Sequence, residues 1–305
     1  MSNGLNPEQQ EAVQTLKGPM LVLAGAGSGK TRVVTFRIAN LIRHGIRPDR
    51  ILAVTFTNKA AKEMRERIGL MLGPRRRLRR GEQKPPTPVI GTFHSNCVQI
   101  LRRHAPKLGY PNKFAIYDRG DQESTAREVL RQLRVSAGIL KPGDFLSHVS
   151  RWKNAGVRPE QAGELARSDA EHMAASGYRR YQQAIKLAGA MDFDDLLLLT
   201  EQLFIDYPEA RQEEAGRYDH VLVDEYQDTN QTQYAIIQSL AAGHRNLCVV
   251  GDDDQSIYGW RGAEVQHILN FRNDWQDAKV VRLEANYRST TAILTLANRL
   301  IAFNK

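Results

Sequence analysis

Residues 21–31, LVLAGAGSGKT, join an apolar run to the helix-like stretch TRVVTFRIANLI through a glycine-rich turn. A strand that feeds a helix across so tight a turn leaves few choices of fold. It predicts a βαβ unit in a parallel sheet, with the turn at the carboxyl edge. Gly25, Gly27 and Gly29 let successive backbone N–H groups converge on phosphate oxygens, and the new helix N-terminus adds a favourable dipole. Lys30 is placed to reach the β and γ phosphates and the Thr31 hydroxyl to ligate Mg²⁺. Strict phosphate-loop spacing asks for glycine at position 24, where this chain has Ala24 at the end of the strand. Small size suffices there.

Further apolar runs extend the same rhythm: DRILAVTFT (49–57), PVIGT (88–92), HVLVDE (220–225), NLCVVGD (246–252) and AKVVRLE (278–284). Their near-continuous hydrophobicity implies strands buried on both faces. Between residues 95 and 218 strand signals fade, and amphipathic stretches such as DQESTAREVLRQLR (121–134) take over. The fold class is therefore α/β: a P-loop parallel sheet with a helical insertion. At 305 residues two lobes are expected. The expected division is residues 1–94 and 219–284 for the sheet lobe, 95–218 for the insertion, and 285–305 for the start of another lobe.

HVLVDE delivers Asp224 and Glu225 to the carboxyl end of a buried strand. Beside a phosphate loop, Asp224 completes the Mg²⁺ coordination and Glu225 is the candidate base for an attacking water, which points to hydrolysis. Guanine recognition is disfavoured, because the Asn-Lys-x-Asp pattern finds only NKAA (58–61), with Ala61 in place of the aspartate.

The net charge of +9 favours a polyanionic partner such as nucleic acid. The arginine- and proline-rich stretch GPRRRLRRGEQKPPTP (73–88) reads as a basic loop with no assigned role. MDFDDLLLL (191–199) reads as an acidic helix start whose aspartates suit the N-terminal dipole, a structural feature and not a metal site. Cys97 and Cys248 are far apart, with neither disulfide nor zinc spacing, and are expected to be small buried residues. The polar N-terminus and the absence of a long aliphatic run predict no secretory signal, no membrane contact and a cytoplasmic location.

One segment remains, GDDDQSIYGWRGA (251–263), which combines carboxylates and a glutamine with a tyrosine, a tryptophan and an arginine. With LNPEQQEAV, AGAGSGKT, AVTFTNKAAKEM, GTFHSNCV, VDEYQDTN and NYRST in this order, the chain resembles the N-terminal half of superfamily 1A DNA helicases of the UvrD/Rep/PcrA type. The resemblance implies a RecA-like motor lobe that uses ATP and Mg²⁺, moves 3′ to 5′ on single-stranded or forked DNA, and serves repair or replication alongside other proteins. It implies that Gln9 pairs with the adenine edge, Tyr287 stacks on the base, and Arg288 neutralises γ-phosphate charge. Ala26, Ser28 and Arg32 join the phosphate-loop residues around the nucleotide, and Gln255 senses the γ-phosphate. Phe56, Thr57, Asn58, Thr92, Phe93 and His94 line the strand, while Tyr258 and Trp260 offer flat faces to unpaired bases and Arg261 a phosphate contact. The segment 251–263 then couples the two sites. The alternatives are a noncatalytic single-strand-binding or recruitment module with a vestigial ATP site, and a P-loop phosphotransferase. Intact Lys30, Thr31, Asp224, Glu225 and Gln255 argue against decay, and Glu225 and the stacking segment against phosphoryl transfer.

Overall fold

The computed structural model describes residues 4–73, 85–136 and 138–303, without the side chain of Arg261. Most of the arginine-rich stretch, residues 74–84, lies outside the described residues. The chain forms two compact units. One holds Met1–Thr92, Glu214–Thr229 and Ile237–Lys305; the other holds Phe93–Glu213 and Asn230–Ile236.

Among the described residues, six of eight strands build the first unit's sheet: β1 (Met20–Ala24), β2 (Ile51–Thr55), β3 (Val89–Thr92), β6 (His220–Val223), β7 (Leu247–Gly251) and β8 (Lys279–Leu283). Their order is β3-β2-β6-β7-β1-β8, and every pairing is parallel. The inner strands β2, β6 and β7 are buried at every position, as their unbroken apolar runs require. The edge strand β8 alternates instead, with Val281 and Leu283 inward and Lys279 and Arg282 exposed. Helices Pro7–Gln14, Lys30–Arg43 and Asn58–Leu72 contribute Ala12, Val34, Ile38, Ala61 and Met64 to a core with Val22, Ala53, Leu222 and Val250. Burying each of the larger aliphatic side chains stabilises the fold by ~1.5–3 kcal/mol. The strand order brings the carboxyl ends of β1 and β6 to either side of β7, where open parallel sheets bind ligands. Helix Thr291–Ile301, in the stretch assigned from sequence to another lobe, buries no residue and leaves Ile293, Leu296 and Leu300 exposed.

The second unit is mainly helical, around Phe145, Trp152, Tyr178, Tyr181 and Ile185. It also contains two two-residue strands, β4 (Ala115–Ile116) and β5 (Ala190–Met191), paired in parallel. The acidic stretch 191–199 plays a structural part: Asp195 lies in the first turn of the helix Asp195–Asp206, as expected, and a buried ion pair is added to it. Asp192 and Asp195 are buried and accept hydrogen bonds from each other's backbone N–H, at 2.8 and 3.1 Å. The fully buried ammonium of Lys153 lies 2.6 Å from Asp192 and 2.7 Å from Asp195. Tyr181 donates to Asp192 at 3.0 Å and Gln182 to Asp195 at 3.0 Å. Burial works against the Lys153 charge, but the two aspartates outweigh it and hold its pKa well above the ordinary value. Both cysteines are buried and unpaired. No helix among the described residues is long and apolar enough to cross a membrane.

Candidate active site

The phosphate loop follows β1 directly. Gly27 and Gly29 adopt φ of 72° and 93°, the left-handed region that glycine enters without strain. A Cβ at Gly29 would lie 2.8 Å from Gln9 Nε2, and one at Gly27 would lie 2.7 Å from Arg288 Cβ, so both positions also need the space. Ser28 closes the turn, its N–H and hydroxyl donating to the Gly25 carbonyl at 3.2 and 2.7 Å. Ala24 is buried at the strand end, while Gly25 and Ala26 are exposed. Lys30 and Thr31 open the helix Lys30–Arg43. Arg32 is exposed, with its guanidinium 5.4 Å from the Phe36 ring centroid.

Two acidic strand ends meet at Lys30. Its ammonium lies 3.8 Å from Glu225 Oε2 and 3.7 Å from Asp252 Oδ2, and it has no hydrogen-bond partner among the described residues. Glu225 has φ of 53°, a left-handed conformation that strains a non-glycine residue and is found preferentially at functional sites. Asp224 is buried, and that burial together with the Glu225 charge pushes its pKa up to about 7; a hydrogen bond with Thr31 opposes the rise. Burial and Glu225 likewise raise Asp228 to about 6. Thr31 and Asp224, adjacent oxygen donors with one carboxylate ill at ease in its burial, suit a hard divalent cation. Gln255 donates its side-chain amide to Asp252, three residues back.

The 286–289 stretch sits on the phosphate loop. Tyr287 N–H donates to the Gly27 carbonyl at 3.0 Å, Asn286 Nδ2 donates to the Ala26 carbonyl, and Asn286 Oδ1 accepts the N–H groups of Arg288 and Ser289 at 2.8 Å each. The Tyr287 ring is largely exposed, and its hydroxyl accepts from Asn6 Nδ2 at 3.1 Å. Gln9 is buried with both ends of its amide engaged: Oε1 accepts from Asn6 N–H at 3.2 Å and Nε2 donates to the Ser28 carbonyl at 2.9 Å. A bidentate contact to adenine requires Gln9 to exchange both bonds.

The sheet unit also carries an aromatic surface. Phe56 stacks on Tyr258 with centroids 5.1 Å apart and planes 28° apart, and Trp260, 74% exposed, lies tilted 6.4 Å from Tyr258. The Thr57 hydroxyl caps the next helix by accepting from Ala60 N–H at 3.1 Å, and Asn58 is exposed in its first turn. Thr92 ends β3, half-buried. In the helical unit, His94 stacks on the half-exposed Phe193 at 3.7 Å and 17°, and burial pushes its pKa down to about 4, so the ring is neutral at physiological pH. Phe93 is a correction to the expected strand-lining set: it is only 4% exposed, on the same helix face as Cys97, Ile100 and Leu101, and packs in the interior. The Arg261 side chain lies outside the described residues.

Residues 5–276 match the model of the UvrD/REP helicase N-terminal domain. The chain belongs to that family. It is 45% identical over 301 residues to the ATP-dependent DNA helicase PcrA of Staphylococcus epidermidis, covering 98% of this chain and 40% of the relative. The corresponding protein of Staphylococcus aureus is 44% identical over 303 residues, covering 99% and 40%. The chain thus spans about 40% of the length of these curated relatives.

Within this UvrD/REP helicase domain, several residues that shape the site went unnoticed in the sequence. Asn6 forms a capping box with Gln9, a pattern that Asn-Pro followed by glutamine does announce. Arg37 and Asn40, on the helix that Lys30 opens, grip the other end of the Gln9 helix: Arg37 donates to the carbonyls of Ala12 and Thr15, and Asn40 to that of Val13 at 3.0 Å. Asn286 and Gln227 lie inside NYRST and VDEYQDTN but were given no role there, and Phe193, within MDFDDLLLL, carried no local signal of its own.

Proposed function

We propose that this chain is the nucleotide-hydrolysing first motor lobe, with its helical insertion, of an ATP-dependent DNA helicase that moves 3′ to 5′ along single strands and opens duplex. The observation that carries the reading is the meeting of Lys30, Glu225 and Asp252 at one sheet edge, with Asp252 opening the same short segment that presents Tyr258 and Trp260. ATP and DNA are named for the relatives, and the site chemistry here suits both.

In this reading Lys30 exchanges its two distant carboxylates for β- and γ-phosphate oxygens, and the 25–29 loop adds backbone N–H donors. Thr31 and Asp224 would hold Mg²⁺, which supplies charge neutralisation on the phosphates. Glu225 accepts a proton from the attacking water, Gln255 reports the γ-phosphate, and Arg288 answers charge that develops as the phosphate leaves. Tyr287 stacks on the base and Gln9 turns its amide to the adenine edge. Phe56, Tyr258 and Trp260 supply stacking faces, each worth ~1–3 kcal/mol per base and indifferent to sequence. Thr57, Asn58, Thr92 and His94 supply neutral donors and acceptors for the backbone. The remaining length found in the relatives is proposed to add the second lobe that closes on the nucleotide, so that unwinding belongs to the longer protein. Repair or replication is the proposed setting.

ATP hydrolysis with and without oligo(dT), measured on this chain and on a version extended through the second lobe, tests the reading. Strand-stimulated hydrolysis in the extended protein, lowered ~10²–10⁴-fold by Glu225→Gln with nucleotide binding retained, is the expected result. Strand binding by both versions without hydrolysis by either would replace it with a noncatalytic binding module.

A further inference from the structure

We infer that Gln227 is the positioning residue that ties the catalytic carboxylate of Glu225 to the strand-facing segment 252–260, so that a change at the phosphates reaches Tyr258 and Trp260 through its amide. The inference rests on the nucleotide and strand sites proposed above.

Gln227 is 1% exposed, and both ends of its side chain are used. Oε1 accepts the backbone N–H of Asp252 at 3.1 Å, and Nε2 donates to Glu225 Oε2 at 3.0 Å. The chemistry fixes the amide's orientation, because a backbone N–H only donates and a carboxylate only accepts. The Gln227 backbone carbonyl accepts from the Ser256 hydroxyl at 3.2 Å. Fit is equally close on the other side: a Cβ at Gly251 would lie 2.6 Å from Gln227 Oε1.

These contacts close a ring. Lys30 faces Glu225 and Asp252, and Gln227 joins the same two residues by hydrogen bonds. When phosphate oxygens take the Lys30 ammonium, both carboxylates lose their cation together. Gln227 then remains as their common link, and a shift of Glu225 is passed to the backbone of Asp252. From there the chain is short and rigidly turned: Asp252 accepts from Asp254 N–H at 3.2 Å and from Gln255 N–H at 3.0 Å, which sets the turn Asp253–Gln255. The far end of the segment is held by the same turn that bears Gln227. Thr229 accepts from Glu264 N–H at 3.0 Å, and its carbonyl accepts from His267 Nδ1 at 3.1 Å. With both ends anchored, movement at Asp252 is absorbed between residues 253 and 263, where Tyr258 and Trp260 sit.

The test reads Trp260 without relying on turnover. Trp152 and Trp275 are 5% and 2% exposed against 74% for Trp260, so acrylamide quenching in this chain reports mainly on Trp260. Nucleotide occupancy is read separately, as the rise in Tm produced by Mg·ATPγS. The expected result is that nucleotide changes Trp260 quenching in the wild type, and that Gln227→Met and Gln227→Glu keep the Tm rise but lose the quenching change. Gln227→Glu keeps an acceptor for Asp252 N–H and so guards against a packing defect in the methionine variant. The double variant Glu225→Gln/Gln227→Glu restores a donor and an acceptor with their places exchanged, and is expected to regain the quenching change while remaining unable to hydrolyse ATP.

Retention of the wild-type response in both single variants, whatever their loss of Tm, would overturn the inference, as would a double variant that stays silent. A wild type that binds Mg·ATPγS without a Trp260 response overturns it as well and leaves the nucleotide site standing. No Tm rise in any form strikes the proposed function itself.

Discussion

Replacing Lys153 by methionine tests how the helical unit is held together. The side chain is entirely buried, its ammonium 2.6 and 2.7 Å from two aspartates that are themselves buried. Methionine fills most of the volume but leaves two carboxylates without their cation. Breaking a buried pair by removing one partner costs ~3–5 kcal/mol, and the double contact places this site at the upper end. The cost depends on pH. Burial, and next the charge of Asp192, push the Asp195 pKa up to about 6, against an ordinary value of 3.8. The folded state therefore binds this proton more readily than the unfolded chain, and the stability it contributes is present at low pH and lost as pH rises through about 6. Without Lys153 the pKa climbs further, so the deficit of the variant is largest above neutral pH and shrinks towards about pH 5. Hydrogen exchange in the segments 142–154 and 192–206, corrected for intrinsic rates at each pH, gives the opening free energies. A loss below ~1 kcal/mol at neutral pH, or an equal loss at both pH values, refutes the account of a cation held between two carboxylates.

Two further substitutions probe the sheet unit. Gly251→Ala places a methyl group 2.6 Å from Gln227 Oε1 and 2.8 Å from Ile268 Cδ1; overpacking of this kind is expected to cost ~1–3 kcal/mol, read as a lowered urea midpoint at unchanged slope. Arg37→Met removes a buried guanidinium that donates to the carbonyls of Ala12 and Thr15; the unpaired carbonyls are expected to cost ~1–3 kcal/mol in urea denaturation, with the largest gain in hydrogen exchange in Pro7–Gln14.

What the sequence disclosed divides along physical lines. The inner strands β2, β6 and β7 were legible because burial on both faces demands unbroken apolar runs, the half-exposed edge strands β3 and β8 because short apolar runs still mark them, and the phosphate loop because glycine, lysine and threonine occupy fixed positions between a strand and a helix. Asp224 and Glu225 were legible because they follow such a run. β4 and β5 were missed because two residues carry no periodicity. Phe93 was misassigned although its signal was present: Phe93, Cys97, Ile100, Leu101 and His104 recur at helical spacing and are all buried, which marks a core face. The partners of Lys153, and the Asp252 N–H that Gln227 accepts, are set by tertiary register. SRWKN reads as the polar end of an amphipathic helix, and nothing local says that its lysine meets aspartates 39 and 42 residues later.

The two lysines show why distance, more than composition, separates a binding group from a structural one. Each stands between two carboxylates. Lys153 makes contacts of 2.6 and 2.7 Å, the shorter a hydrogen bond to Asp192, so its charge is fully used within the fold. Lys30 stands 3.8 and 3.7 Å from Glu225 and Asp252, too far for a hydrogen bond, and its buried ammonium finds no acceptor among the described residues. A buried donor left in this condition is costly, and the cost is relieved when an anionic oxygen comes within reach. The carboxylates aim Lys30 without saturating it. In the proposed function, phosphate would gain the full strength of the donor, and its arrival would free the two residues that Gln227 joins.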